Sequence, residues 1–308
     1  MPRLLATQSH VVHGFVGNKA ATFPLQCKGW DVDCVNSVQF SNHTGYGMER
    51  VFGTSTSAQE LESVFQGLKS FQDYDAMLSG YLPNRESVVC MAKNHSEMKK
   101  RDPRLMWLLD PVMGDDGELY VNENVIPEYK RLVESSLVDV ITPNQFELEI
   151  LYGAKIQTVQ ELQKALDSLH QTVPVIVVTS CSVELFQDPK NLYCVASMRN
   201  QPAAVYRVPV IDSYFTGVGD LFSALLIDSI YNMREASGDA GRLDLNGVLA
   251  TVHNVLDVTL QHSPKNLKAS IGSPLTMKQM ELRIIESKKW YNTTAETKDF
   301  YVGRLNDI

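Results

Sequence analysis

Short β-branched or leucine-rich runs alternate along this chain with longer segments of helical period, and that alternation restricts the possible folds more than any other feature. RLLAT (3–7), VDCVNSV (32–38), AMLSG (76–80), RLMWLLD (104–110), LVDVIT (137–142) and PVIVVTS (174–180) read as strands. SAQELESVFQGLK and TVQELQKALDSLH read as helices. Each opens with a capping box, Ser57 with Glu60 and Thr158 with Glu161, in which side chain and backbone satisfy each other's orphan groups. After about residue 190 come two further strands, NLYCVAS and AAVYRV, and then three helices to the end. Strands separated by helices pair in parallel through right-handed crossovers. The expected fold is therefore α/β, a mostly parallel central sheet covered by helices on both faces. No repeat, low-complexity tract or Pro/Gly/Ser linker divides the 308 residues, which read as a single domain with residues 291–308 as a loosely ordered tail. GDDGELYV (114–121), CSVELFQDPK (181–190) and REASGDAGRLDLNG (234–247) read as loops.

An apolar content of 44% lets a chain of this length bury a sizeable core. The net charge is −8 and the basic residues are scattered, so the protein's field repels a polyphosphate backbone, and no nucleic-acid partner is expected. Five widely spaced cysteines form no C-x-x-C, which argues against a disulfide framework or a zinc knuckle and for a reducing, cytoplasmic setting. MPRLLATQSH soon turns polar, and the longest apolar stretch, near VPVIVV, is too short to span a bilayer, so no targeting or membrane signal is read. His10 and His13 are spaced i to i+3 but lack a third ligand, so they do not read as a metal pair. KNHSEMKKRDPR is a solvated basic face, and Asp116 belongs to a solvated turn.

In a sheet of this kind ligands bind beyond the carboxyl ends of the strands. The polar residues that follow the expected strands become neighbours there: Ser9 and His10, Thr44 in SNHTGY, and Tyr81. Asp110 and Asp115 in DPVMGD join them, with Thr142, Asn144 and Glu147 in TPNQFE and then Thr179 and Ser180. So many carboxylates on one rim repel one another unless cations sit between them. Magnesium is commonly held by one or two carboxylates plus substrate phosphates, so the rim reads as a metal–nucleotide site.

YFTGVGDLF (214–222) leads into an apolar helix, DLFSALLIDSIYNM. The unpaired N–H groups at such an N-terminus attract anions, and Gly217 and Gly219 let the chain approach one closely. Asp220 beside them suits a general base taking a proton from an alcohol that attacks phosphorus. The stretch is not a Walker A loop, lacking Gly-Lys-Ser/Thr, nor a dinucleotide fingerprint, because Phe222 stands in place of the third glycine. On its own G-x-G-D is equally a helix N-terminus with a capping aspartate.

TQSHVVHGFVGNKAATFPLQ, VNSVQFSNHTGYG, LSGYLPN, DPVMGD, ITPNQFELEIL, VVTS and TGVGDLF resemble, in order and spacing, the motifs of pyridoxal kinases of the ribokinase-like superfamily. The resemblance runs from about residue 3 to 228 and continues to LRIIESK near 287. It implies ATP-dependent phosphorylation of the hydroxymethyl group of pyridoxal, pyridoxine and pyridoxamine by a homodimer. On matching positions Asp220 is the catalytic base, and Gly217, Val218 and Gly219 surround the moving phosphate. Ser9, Thr44 and Tyr81 line the pyridoxal pocket. Asp110, Asn144, Glu147, Thr179 and Ser180 match positions around the ATP phosphates, and Ile211 to Ser213 flank the nucleotide. Asp110, Asp115, Thr142 and Glu147 match a cation environment that uses Mg2+ or Zn2+ and a monovalent ion such as K+. Asp115 to Tyr120 resembles the flap over the site, shorter than in animal relatives. The family commonly has threonine where this chain has Val218, which keeps a backbone N–H and loses a hydroxyl. The alternatives are another ribokinase-like kinase, such as one acting on a hydroxymethylpyrimidine, and a non-catalytic protein that binds pyridoxal phosphate or nucleotide.

Overall fold

The computed structural model describes residues 1–71, 73–115, 117–237, 243–292 and 299–308; the turn at Asp116, the middle of the 234–247 loop and part of the 291–308 tail lie outside the described residues. In chain order the elements begin β1 (Arg3–Val11), α1 (Gly17–Cys27), β2 (Asp31–Phe40), β3 (Gly53–Ser55), α2 (Ala58–Leu68) and β4 (Ala76–Ser79). They continue α3 (Arg85–Arg101), β5 (Met106–Leu109), β6 (Gly114–Asp115), β7 (Glu118–Leu119), α4 (Ile126–Glu134), β8 (Val140–Ile141) and α5 (Gln145–Tyr152). Next come α6 (Val159–Leu169), β9 (Val175–Cys181), α7 (Val183–Phe186), β10 (Asn191–Met198) and β11 (Ala204–Pro209). The chain closes with α8 (Val218–Ser237), α9 (Asn246–Gln261), α10 (Pro274–Gln279) and β12 (Tyr301–Arg304). Contacts divide it into two compact units, Met1–Thr56 with Ile211–Lys298 and Ser57–Val210 with Asp299–Ile308.

In the first unit β1 pairs in parallel with β2, and β3 adds antiparallel to β2. Helix α1 packs against both long strands and against α8, and α8 packs on α9. The core is apolar on both sides of that contact: Leu4, Leu5 and Ala6 of β1, Ala20, Ala21 and Leu25 of α1, and Leu221 and Leu225 of α8 are buried. β1 outruns its expected end at Thr7 because β2 keeps pairing with it as far as Val11. The register shifts between Gln8 and His10, where Ser9 stands opposite two residues of β2, Ser37 and Val38, so Ser9 lies within the strand rather than beyond it and the irregularity belongs to β2.

The second unit holds the strand order β12-β11-β10-β9-β8-β5-β4. β4, β5, β8 and β9 are mutually parallel, and their side chains form continuous buried runs, Met77 and Leu78, Trp107 and Leu108, Val140 and Ile141, and Ile176 to Val178. From β9 onward the pairing turns antiparallel. The links explain the change: one turn of helix, α7, separates β9 from β10, and a tight turn with Asn200 at φ 65° separates β10 from β11. Neither is long enough for a crossover. Further segments differ from their sequence reading. Tyr301–Arg304, in the expected tail, is a strand on β11; the expected loop after Gly114 is the hairpin β6–β7; and the loop after Cys181 contains α7. Both capping boxes form, with the Glu60 and Glu161 amides each 3.2 Å from the hydroxyls of Ser57 and Thr158. No described helix is long and apolar enough to cross a membrane.

Candidate active site

The two units each carry a set of the expected site residues. In the first unit α8 begins at Val218, and Gly217 before it has φ 86°, a left-handed conformation that L side chains rarely adopt. A methyl on Gly217 would run into the carbonyl oxygen of Phe15, so glycine is required there for two independent reasons. Asp220 lies in the first turn of α8, and its carboxylate accepts the N–H of Gly17, the first residue of α1. Part of Asp220 reaches solvent, but protein surrounds the rest. That desolvation pushes its carboxyl up to about 6, against the opposing effects of the Gly17 N–H and of His43. Gly17, at φ 50°, lies against the carbonyl and hydroxyl of the buried Ser9. Thr44 opens a 3-10 turn and is exposed. The N–H of Ser213 donates to the Ile211 carbonyl at 2.7 Å, and the Ser213 hydroxyl accepts the N–H of Ala269 at 3.0 Å.

The same unit holds a buried polar cluster that the sequence reading did not assign. Glu281 Oε1 accepts from His43 Nε2 at 2.8 Å and from the Tyr46 hydroxyl at 2.7 Å, and Oε2 accepts the Phe15 N–H at 3.1 Å. Burial raises the Glu281 carboxyl, but these donors together outweigh it and hold the group below its usual range. Tyr46, buried and bonded to that carboxylate, is pushed well above the usual phenol range. The pair His10 and His13 disperses: His10 meets Gln39 at 2.7 Å and His13 meets Tyr46 at 3.1 Å.

In the second unit the carboxyl ends of the parallel strands carry the expected rim. Tyr81 lies just beyond β4, Asp110 follows β5, Thr142 follows β8, and Thr179 and Ser180 lie in the last turn of pleat of β9. Backbone bonds hold these ends in line, Asp110 N–H to Ser79 O at 2.8 Å and Thr142 N–H to Leu109 O at 3.2 Å. Asn144 caps α5: its Oδ1 accepts the Glu147 N–H at 2.8 Å, and its Nδ2 donates to the Gly114 carbonyl at 2.7 Å. Glu147 returns the cap on the Asn144 N–H and accepts the Met113 N–H at 2.9 Å, which ties the DPVMGD segment to the helix. N-x-x-E in TPNQFE is itself a capping signature, so this local role was readable from the sequence. Asp115 is exposed in the β6–β7 hairpin.

Burial first, and then the charge of Asp110, push the Glu147 carboxyl well above its usual range. A cation beside these two buried carboxylates relieves that repulsion, so the pair suits a metal ion. Among the described residues no three His, Cys, Asp or Glu side chains are grouped to hold a metal by themselves. An ion here therefore needs further oxygen ligands, and phosphate oxygens supply them in the usual magnesium arrangement.

Comparison with known proteins gives these two clusters a common class. The family described as phosphomethylpyrimidine kinase matches residues 24–240. A putative pyridoxal kinase of Saccharomyces cerevisiae is 57% identical, with 99% of this chain and 100% of the relative covered. Pyridoxal kinase of Homo sapiens is 37% identical over 93% of this chain and 94% of its own. Among solved structures, pyridoxal kinase from Leishmania donovani in complex with ADP and pyridoxine superposes with a TM-score of 0.82 at 29% identity, covering 97% of each chain. The chain belongs to the pyridoxal kinase family, and its α/β fold, a mostly parallel sheet covered by helices on both faces, is that family's fold.

Proposed function

We propose that this protein transfers the γ-phosphoryl group of ATP to the hydroxymethyl group of pyridoxal, pyridoxine and pyridoxamine. The observation that carries this reading is Asp220: a carboxylate in the first turn of a buried helix, poised near pH 6, with glycine required just before the helix begins. Membership of the pyridoxal kinase family supplies the substrate class.

In this reading Asp220 takes the proton of the hydroxymethyl group as its oxygen forms a bond to the γ-phosphorus. The bond from that phosphorus to the bridging oxygen breaks, and ADP leaves. N–H groups of Gly217, Val218 and Gly219 at the start of α8 stabilise the charge on the moving phosphoryl group, and catalysis there is mainly electrostatic and positional. Ser9, Thr44 and Tyr81 hold the pyridine substrate. Asp110, Asn144, Glu147, Thr179 and Ser180 serve the ATP phosphates, with Ile211, Ser213 and Val218 along the nucleotide. Asp110 and Glu147, joined by Asp115 and Thr142, would hold Mg2+ or Zn2+ and a monovalent ion such as K+, which neutralise phosphate charge. The resemblance also supports a cytoplasmic homodimer.

A substrate panel tests the reading. The purified protein with ATP and Mg2+ should phosphorylate pyridoxal, pyridoxine and pyridoxamine. Turnover of a hydroxymethylpyrimidine alone would replace the substrate assignment, and binding of pyridoxal and ATP without product would replace the enzyme assignment.

A further inference from the structure

We propose that Asp228 is a positioning residue for the phosphoryl transfer: it fixes the axial register of α8 on α1. It thereby sets where Asp220, the base of the reaction proposed above, on which this inference rests, stands against the start of α1. Asp228 follows Asp220 on the same helix, about 12 Å further along at 1.5 Å per residue. Only 6% of its surface is exposed, and three donors hold its carboxylate. Oδ1 accepts from the Trp30 indole Nε1 at 2.9 Å and from Asn232 Nδ2 at 3.2 Å, and Oδ2 meets Lys28 Nζ at 2.9 Å. The Trp30 ring also meets Tyr231 edge-on, with centroids 4.8 Å apart. Lys28 and Trp30 are themselves fastened to the last turn of α1. The Lys28 N–H donates to the Pro24 carbonyl and the Trp30 N–H to the Leu25 carbonyl, both at 3.1 Å, across Gly29 at φ 91°. The carboxylate of α8 is therefore gripped by the C-terminal cap of α1.

The other ends of the same two helices also touch. A Cβ on Gly217, just before α8, would lie 2.1 Å from the Phe15 carbonyl oxygen and 3.4 Å from Val16 Cα, and the Gly17 N–H donates to Asp220. The helices thus run side by side in the same direction, joined at both ends. Along their length they offer buried side chains that are small or aliphatic: Ala20, Ala21 and Leu25 of α1 and Leu221, Ala224 and Leu225 of α8. Apolar contact of that kind is non-directional and resists a small axial slide only weakly. A carboxylate in the middle of a buried helix is a costly way to add stability, since an apolar side chain packs there without desolvating a charge. What it adds is direction: a slide of about 1 Å stretches its hydrogen bonds beyond working range, so they hold one register. Because Asp220 and Asp228 share one helix, the register fixed at the far end is the register of the base.

The test is steady-state formation of pyridoxal 5′-phosphate, run beside urea unfolding, for the wild type, Asp228→Ala, Asp228→Asn, Trp30→Phe and Asp220→Asn. Asp228→Ala loses all three donors and should lower kcat by about ten- to hundredfold, with the KM for pyridoxal and for ATP within about twofold of wild type. Asp228→Asn still accepts from Trp30, so its kcat should stay within about threefold although the ion pair with Lys28 is gone. A folded Asp228→Ala with wild-type kcat and a lowered urea midpoint overturns the inference and leaves Asp228 a structural tie. Equal losses of kcat in Asp228→Ala and Asp228→Asn overturn it as well. If Asp228→Ala does not fold, Trp30→Phe replaces it, keeping the ring and losing its N–H: a lowered kcat at unchanged KM supports the inference, and an unchanged kcat overturns it. Activity surviving in Asp220→Asn would instead remove the base assignment. An inactive Asp220→Asn beside a fully active Asp228→Ala removes the role of Asp228 alone.

Discussion

Gly217→Ala isolates what the turn before α8 contributes. At φ 86° an alanine pays the left-handed backbone penalty, about 1–2 kcal/mol. Its Cβ also overlaps the Phe15 carbonyl oxygen, so the turn or the segment before α1 must yield by about 1 Å to restore van der Waals contact. Phe15 N–H is anchored on Glu281 and Gly17 N–H on Asp220, so the segment cannot retreat without disturbing Asp220. A displacement of that size at a reacting group costs roughly 10²-fold in rate. The variant should therefore lose about a hundredfold in kcat while its unfolding free energy falls by about 1–3 kcal/mol. Steady-state formation of pyridoxal 5′-phosphate, run beside urea unfolding, measures both. A folded variant whose kcat stays within about threefold of wild type would refute the claim that this turn places the catalytic aspartate.

The remaining predictions concern the neighbours of that turn. Because the Asp220 carboxyl is raised to about 6, the native state binds a proton there more tightly than the unfolded chain does, and ionising it costs stability. Asp220→Asn should therefore be the more stable protein at neutral pH, by on the order of 1–3 kcal/mol, with the advantage shrinking as pH falls below about 6. Denaturant midpoints across pH 4 to 8 measure this, and a constant difference would contradict it. Val218→Thr restores the hydroxyl common in the family and should lower the KM for ATP by roughly two- to tenfold, in line with about 0.5–1.5 kcal/mol for a hydrogen bond. An unchanged ATP affinity and rate would show that Val218 costs this enzyme nothing.

Local signals carried the fold well where they were dense. The β-branched runs of β1, β2 and β9 and the capped helices α2 and α6 were legible because periodicity and caps lie within a few residues of each other. β3 and β12 were not, since three or four residues carry little pattern, and tertiary pairing with β2 and β11 makes them strands. The end of β1 was misjudged for the same reason: polar Gln8 and Ser9 interrupt the run, but β2 continues to pair with it. In the site, glycines and carboxylates at strand and helix ends stood out. Glu281 did not, because a lone carboxylate more than two hundred residues from its partners leaves no local signature. His43 lay inside a motif already noted, yet its orientation depends on that distant residue. Asn144 shows that a residue read for its chemistry can also be the cap that builds the loop beside it.

The central claim is that Asp220 is the base of an ATP-dependent kinase of B6 vitamers. Its most direct test is the rate of pyridoxal 5′-phosphate formation from pyridoxal and ATP by the wild type and by Asp220→Asn at neutral pH. The account predicts robust product from the wild type and a rate lower by about 10²- to 10⁴-fold in the variant, with ATP and pyridoxal still bound. Equal rates from the two proteins would contradict it, as would no product from either.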